Sequence, residues 1–209
     1  MKTDKWITAK EFMDKLESDP DWVAERDARA AAHQALVEER VAEMEPLLAE
    51  LRAAGCAVHS MSDLTDPPWP DVATFPSAFP VLLAHFQMDG YSAYAREWIA
   101  STLSSPDVRS RWNEIKRLFR EEPDEWCRQV LANRMEAATN EELIDDVIGI
   151  VRDPVYGMSR GILLSALSRS RNPRAYAAMV DLKDDPHLAK EIGIIMKRRE
   201  RRAKRRSKG

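Results

Sequence analysis

The chain is expected to be all-α, and most of it to consist of helix pairs that recur along the sequence. Three observations carry this expectation. Glycine is scarce, at 7 in 209 residues, and no alternation of apolar and polar residues runs far enough to read as strands. Helix-start signals are frequent: Ser105-Pro106, Asn172-Pro173 and Asp185-Pro186 each place a capping residue before a proline suited to the first helical position. Finally, one ten-residue string is written several times, as YAREWIASTL from Tyr94, WCRQVLANRM from Trp126 and MSRGILLSAL from Met158.

The elements follow in order. Thr8 and Glu11 form a capping-box pattern ahead of AKEFMDKLES, and Asp19-Pro20 ends that helix. From Asp21 to Ala54 runs a charge-rich stretch in which Val37, Val41, Met44, Leu47, Leu48 and Leu51 keep helical spacing. Pro46 inside it predicts a kink or a break, because proline lacks the amide donor and crowds the preceding turn. Residues 63–80 hold five prolines and read as a connector. Beyond it the pattern predicts helices over 78–87, 91–104, 106–120, 123–138, 140–151, 156–170, 173–182 and 186–206, with Thr139 and Glu142 as a second capping box.

Aligning the later helix of each pair on its basic residue exposes a period. Arg96, Arg128, Arg160 and Lys190 lie 32, 32 and 30 residues apart, and each follows a small residue: Ala95, Cys127, Ser159 and Ala189. Seven positions on come Leu103, Met135 and Leu167, with Lys197 breaking the series. Upstream, Asp89, Glu121, Asp153 and Asp184 keep step, as do Phe86, Phe119, Val151 and Leu182, which close the earlier helices. A helix pair of this length cannot bury its apolar face alone, so the expected solution is a stack of pairs sharing one core, an α-solenoid.

The acidic residue in the inter-helix turn, followed by a small-basic-x-x-apolar helix, resembles HEAT-like repeats of the armadillo type. In DPVYGMSRGILLSAL the matching residues are Asp153, Arg160, Leu163, Ala166 and Leu167. The resemblance covers roughly residues 77–197. It implies a right-handed α-α superhelix of about four helix pairs with the second helices lining a concave side. It also implies that the basic residues bond the acidic turns and register neighbouring repeats, here pairing Arg96, Arg128, Arg160 and Lys190 with Asp89, Glu121, Asp153 and Asp184. Arg134 departs from the pattern, standing where a small residue is expected. The domain plan is then an N-terminal helical segment over 1–62, capping or crossing the stack, repeats over 63–197, and a basic tail over 198–209.

At about 100° per residue, Ile99 and Leu103 mark the buried side of the first such helix, and Glu97, Ser101 and Ser104 point away. The equivalent positions are Gln129, Asn133 and Glu136, then Gly161, Ser165 and Ser168. Glu97, Ser101, Gln129, Asn133, Ser165 and Ser168 thus form a candidate polar binding face for an extended peptide or a protein surface. Trp98, Trp112 and Trp126 are expected to pack in the core. The last unit is apolar on more than one side, at Ile192, Ile194, Ile195 and Met196, so it is expected to be covered by the N-terminal segment or to support a homodimer.

Charge is unevenly distributed. Residues 197–209 carry +8, whereas the chain as a whole carries −3, leaving −11 on the other 196 residues. Arg201, Arg202, Lys204, Arg205 and Arg206 are candidate contacts to nucleic acid or another acidic surface, and the acidic body argues against such binding elsewhere. No run reaches the ~20 apolar residues of a membrane span, the N-terminus lacks an apolar leader core, and two cysteines give no disulfide framework. A cytoplasmic protein without membrane contact is expected. His33, His59, His85 and His187 form no HExxH, and no P-loop, GxGxxG or GxSxG is present, so no catalytic residue, metal or cofactor is assigned. The functional expectation is a non-enzymatic scaffold or adaptor for a protein or peptide. A HEAT-like nucleic-acid binder or DNA glycosylase, and a lyase-type chaperone of cofactor attachment, are the alternatives the resemblance implies.

Overall fold

The computed structural model describes residues 7–64, 78–103 and 105–206. The proline-rich connector from 65 to 77 and Ser104 lie outside the described residues, as do the side chains of Arg202, Lys204 and Arg206. Among the described residues the chain is all-helical, with eleven α-helices and no strand. They form two compact units, residues 1–45 and 46–209.

The first unit holds α1 (Ala9–Glu17) and most of α2 (Pro20–Ala53). The predicted capping box is present, with the Thr8 hydroxyl accepting from Glu11 N and the Glu11 carboxylate accepting from Thr8 N at 2.8 Å. Among the described residues before Met44, none is fully buried. Leu16, Trp22 and Val23 are half-buried, while Phe12, Met13, Leu36, Val37 and Val41 are exposed. The helix α2 runs unbroken through Pro46, against the predicted kink or break. Met44, Leu47, Leu48 and Leu51 flank the proline and are all buried. That burial is worth ~1.5–3 kcal/mol per side chain and outweighs the ~3 kcal/mol that an internal proline costs. Gly55, at φ +91°, ends α2 in the left-handed conformation that favours glycine, and Cys56 N then bonds Leu51 O.

The second unit therefore starts at Pro46, ahead of the boundary at 62 read from the sequence. It contains α3 (Ala78–Phe86), α4 (Ala93–Thr102), α5 (Ser105–Ser110), α6 (Trp112–Glu121), α7 (Glu125–Ala138), α8 (Ile144–Arg152), α9 (Arg160–Arg169), α10 (Pro173–Asp181) and α11 (Ala189–Arg206). The predicted helix 106–120 is interrupted at Arg111, whose φ −114°, ψ 31° divides α5 from α6. Short 3-10 segments, Glu141–Leu143 and Pro154–Ser159, lead into α8 and α9. Ser92, Asp124 and Asn172 cap α4, α7 and α10 through their side chains. Thr139 does not cap the next helix as expected. Its hydroxyl donates back to Met135 O at 2.7 Å, and Asn140 supplies the cap to Leu143 N.

Within this unit α3 packs on α4, α6 on α7 and α8 on α9, while α7 lies against both α4 and α9, and α9 against α11. Burial follows the sequence period. Ala95, Cys127 and Ser159 are fully buried, as are Leu103, Met135 and Leu167 seven positions after the basic residues. Phe86, Phe119 and Val151 close the earlier helices inside the core, and Phe119 stacks on Tyr156 at 4.9 Å. Polar contacts tie each earlier helix to the next. Arg117 donates to Gln87 (3.1 Å), Trp112 and Lys116 both reach Asp146 (2.9 and 3.0 Å), and Arg152 and Arg174 pair with Asp181 and Asp145 (2.5 and 2.6 Å).

Arg134 is the one position on α7 where the period and the core disagree. Its Nε is buried without a hydrogen-bond partner, and burial pulls its pKa below the ordinary arginine value. Arg134→Met keeps the stem and removes the unpaired Nε. With only the unpartnered Nε relieved, it is expected to raise stability by up to about 1 kcal/mol, or ~2–4 °C in Tm. Thermal melts that show a lower Tm for the variant would contradict this account.

Candidate functional site

The basic series is built as a set of helix caps. Each arginine reaches back to a carbonyl at the end of the preceding helix, where backbone acceptors have no helical donor. Arg96 donates to Phe86 O (2.9 Å), Arg128 to Glu122 O through Nε and Nη2 (3.0 and 2.5 Å), and Arg160 to Val151 O (3.1 Å) and Gly157 O (3.0 Å). Two of them also cross to the next pair: Arg96 to Glu122 at 2.5 Å and Arg160 to Asp185 at 2.8 Å. Arg128 takes Glu125 on its own helix at 3.3 Å.

The acidic partners therefore differ from those expected. Asp89 is exposed, Glu121 pairs with Arg117, Asp153 caps Val155 N, and Asp184 lies 4.0 Å from Lys183. Lys190 is exposed. The partners lie one residue further on, at Glu122 and Asp185, and each precedes a proline. A residue before proline is held extended, as Glu122 is at ψ 116°, and this turns its carboxylate out of the helix path. The dipeptides Glu122-Pro123, Asp153-Pro154 and Asp185-Pro186 recur at 31 and 32 residues, a sequence signal that marks two of these partners, whereas Asp153 turns its carboxylate onto Val155 N and Arg128 takes Glu125 instead.

The six polar face positions lie on three neighbouring helices: Glu97 and Ser101 on α4, Gln129 and Asn133 on α7, Ser165 and Ser168 on α9. Asn133 and Ser165 are exposed and the other four half-buried. Several donors are turned into their own helices, Ser101 to Trp98 O, Ser168 to Ser165 O and Asn133 to Gln129 O. Ser165 also accepts from Arg169, which pairs with Glu136 across α9 and α7. The face is thus polar and close to neutral.

A second feature heads this face and was missed from the sequence. Tyr94, Trp126 and Met158 occupy equivalent positions, 32 residues apart. Trp126 was expected in the core but is 60% exposed, and Met158 is 64% exposed. Tyr94 is half-buried, edge-on to Trp98 at 6.3 Å. Trp112 is buried, with its indole N–H donating to Asp146. Trp126 lies three and seven residues before Gln129 and Asn133, on the same stripe of α7. The first turn of α7 abuts the 154–159 segment, where Ser159 donates to Glu125 at 2.8 Å. Gly157 there adopts φ +57°, ψ −141°, a conformation essentially restricted to glycine.

An open pocket of about 220 Å³ is lined by Phe86, Gln87, Asp89, Arg96, Arg117, Glu121 and Glu122, with Arg96 paired to Glu122 and Arg117 bonded to Glu121 and Gln87. His85 is buried, hydrogen-bonded through Nδ1 to the Tyr91 hydroxyl (2.6 Å), while its Nε2 lies 3.2 Å from the Glu50 carboxylate without forming a hydrogen bond. The buried Cys127 thiol is pushed up to about 12 by burial and by the Glu122 carboxylate, which keeps it protonated and inert. Among the described residues, no group of three or more His, Cys, Asp or Glu is placed to hold a metal ion, and no helix is long and apolar enough to cross a membrane. No family model, no curated protein and no solved structure matches this chain.

Proposed function

We propose that residues 78–197 are a HEAT-like stack of about four helix pairs and that the chain is a non-enzymatic scaffold, holding a partner protein or peptide on the α4/α7/α9 surface. The single observation that carries this reading is the exposed Trp126 and Met158 beside these polar positions. Aromatic side chains and methionine are enriched in protein interfaces, and tryptophan is enriched among the few residues that carry most of the binding energy. The 32-residue period and the side-by-side order of α4, α7 and α9 support the stacked architecture. The near-neutral face, with Glu97 and Glu136 on it, counts against a glycosylase-like grip on a nucleic-acid backbone.

The test is capture from a lysate of the native host, with mass spectrometry of what is retained, followed by affinity measurement on the purified partner. Trp126→Ala is expected to weaken that complex by at least about tenfold, equivalent to ~1.4 kcal/mol. Its Tm should stay within ~2–4 °C of the parent, because the side chain is mostly solvated already. Recovery of nucleic acid alone, or a partner whose affinity ignores Trp126, would refute the proposal.

A further inference from the structure

The basic run at the C-terminal end is a helix. α11 continues to Arg206, and of its last ten residues, 197–206, eight are Lys or Arg, one is Glu200 and one is Ala203. Its root is fixed: Ile192 and Ile195 are buried, and the Arg199 guanidinium lies 4.8 Å from the centre of the Tyr176 ring. From Lys197 on, every described side chain of α11 is exposed. Arg198, Arg201 and Arg205 stand at i, i+3 and i+7, one stripe about 10 Å long on a helix rising 1.5 Å per residue. The distance from Ile195 to Arg206 along the axis is about 16 Å, roughly twice the screening length at physiological salt. Over this length residues 197–206 carry eight cations against one carboxylate, a net +7 on one helix.

We infer that this exposed helix binds double-stranded DNA through its phosphates, without reading sequence. Charge complementarity names the class: arginines grip phosphate oxygens as a bidentate fork, and a polyanion releases counterions when they do. Shape narrows it, since the B-form major groove admits an α-helix whereas the A-form groove of duplex RNA is too narrow. A lipid surface fits less well. Residues 197–206 offer no apolar side chain larger than Ala203, so the helix has nothing to insert below the headgroups. This site is separate from the α4/α7/α9 surface, and either proposal can fail without the other.

The experiment is fluorescence anisotropy of a labelled 20-base-pair duplex of arbitrary sequence, titrated with the full chain at several salt concentrations. Binding is expected at 50 mM salt and should fall about 10³-fold by 200 mM, as for some six phosphate contacts. Arg201→Glu/Arg205→Glu, both at exposed positions, should weaken binding at least tenfold and flatten the salt dependence. Lys10→Glu/Lys15→Glu makes the same charge change on exposed α1 and should leave affinity within about twofold. The inference is overturned if no binding occurs at 50 mM salt, if the two double variants lose affinity equally, or if single strands of the same length bind as tightly as the duplex. Binding to vesicles of 30% phosphatidylserine without binding to the duplex would overturn it as well.

Discussion

Arg160→Ala is expected to lower stability by about 3–5 kcal/mol, the range found when one partner of a buried ion pair is removed. The guanidinium is 2% exposed and makes bonds to Val151 O, Gly157 O and Asp185. Alanine would take this donor from the Val151 and Gly157 carbonyls and remove the charge partner of a carboxylate that is itself only 15% exposed. At ~2–4 °C per kcal/mol for a chain of this size, Tm should fall by about 10 °C. Arg169→Ala is the control. Its side chain is 55% exposed and its pair with Glu136 is of the surface kind, worth ~0–1 kcal/mol. Equal melting temperatures for the two variants would refute the assignment. The same contact has a pH signature. Burial pushes the Asp185 carboxyl up, but the His187 N–H, the Arg160 guanidinium and the Leu188 N–H outweigh it and hold the carboxyl below the ordinary aspartate value. A pKa lower in the folded than in the unfolded chain means that this stabilisation is full above ~pH 4 and is lost as pH falls through the folded-state value. The Tm difference between the parent and Arg160→Met should therefore narrow on acidification below about pH 4.

Glu122→Ala is expected to cost about 2–4 kcal/mol. Its side chain is fully buried, accepts from Arg96 at 2.5 Å and from Asp124 N at 3.1 Å, and fills the turn between α6 and α7. Arg128 bonds the backbone carbonyl of Glu122, so that cap survives the substitution. Arg96 is 22% exposed and can be partly rehydrated, which places the cost below that of Arg160→Ala. A double-mutant cycle with Arg96→Met isolates the pair, and a coupling of at least about 1 kcal/mol is expected in urea unfolding. Strict additivity would show that Arg96 and Glu122 do not act together.

The helices and the core were readable because both are written by burial. Ala95, Cys127 and Ser159, and likewise Leu103, Met135 and Leu167, recur at the period at which the later helices bury their faces. The polar detail was less legible. Glu121 and Asp184 kept the period as well as Glu122 and Asp185 do, and only the restraint imposed by the following proline decides between them. Trp126 looked like core by composition, but its place in the first turn of α7 leaves it at the edge of the fold. Pro46 was read by its local cost alone, and the burial of Leu47, Leu48 and Leu51 outweighed it. Asn140 displaced Thr139 as a cap because the Thr139 hydroxyl is already spent on Met135 O.

The polar contacts that join consecutive helix pairs have a consequence for how the chain folds. Arg160–Asp185, Arg96–Glu122, Arg152–Asp181, Lys116–Asp146 and Trp112–Asp146 join residues between 25 and 34 positions apart. Loops of that length close at modest entropic cost, and helical domains dominated by such near-neighbour contacts fold in roughly microseconds to milliseconds. In the stacked architecture proposed above, any two adjacent pairs can act as the nucleus, and ordering spreads outward from them. The reverse path is also graded. Release of α10 and α11 would break the Arg160–Asp185 bond and the two ties between α8 and α10, yet leave the contact of α4 with α7 untouched.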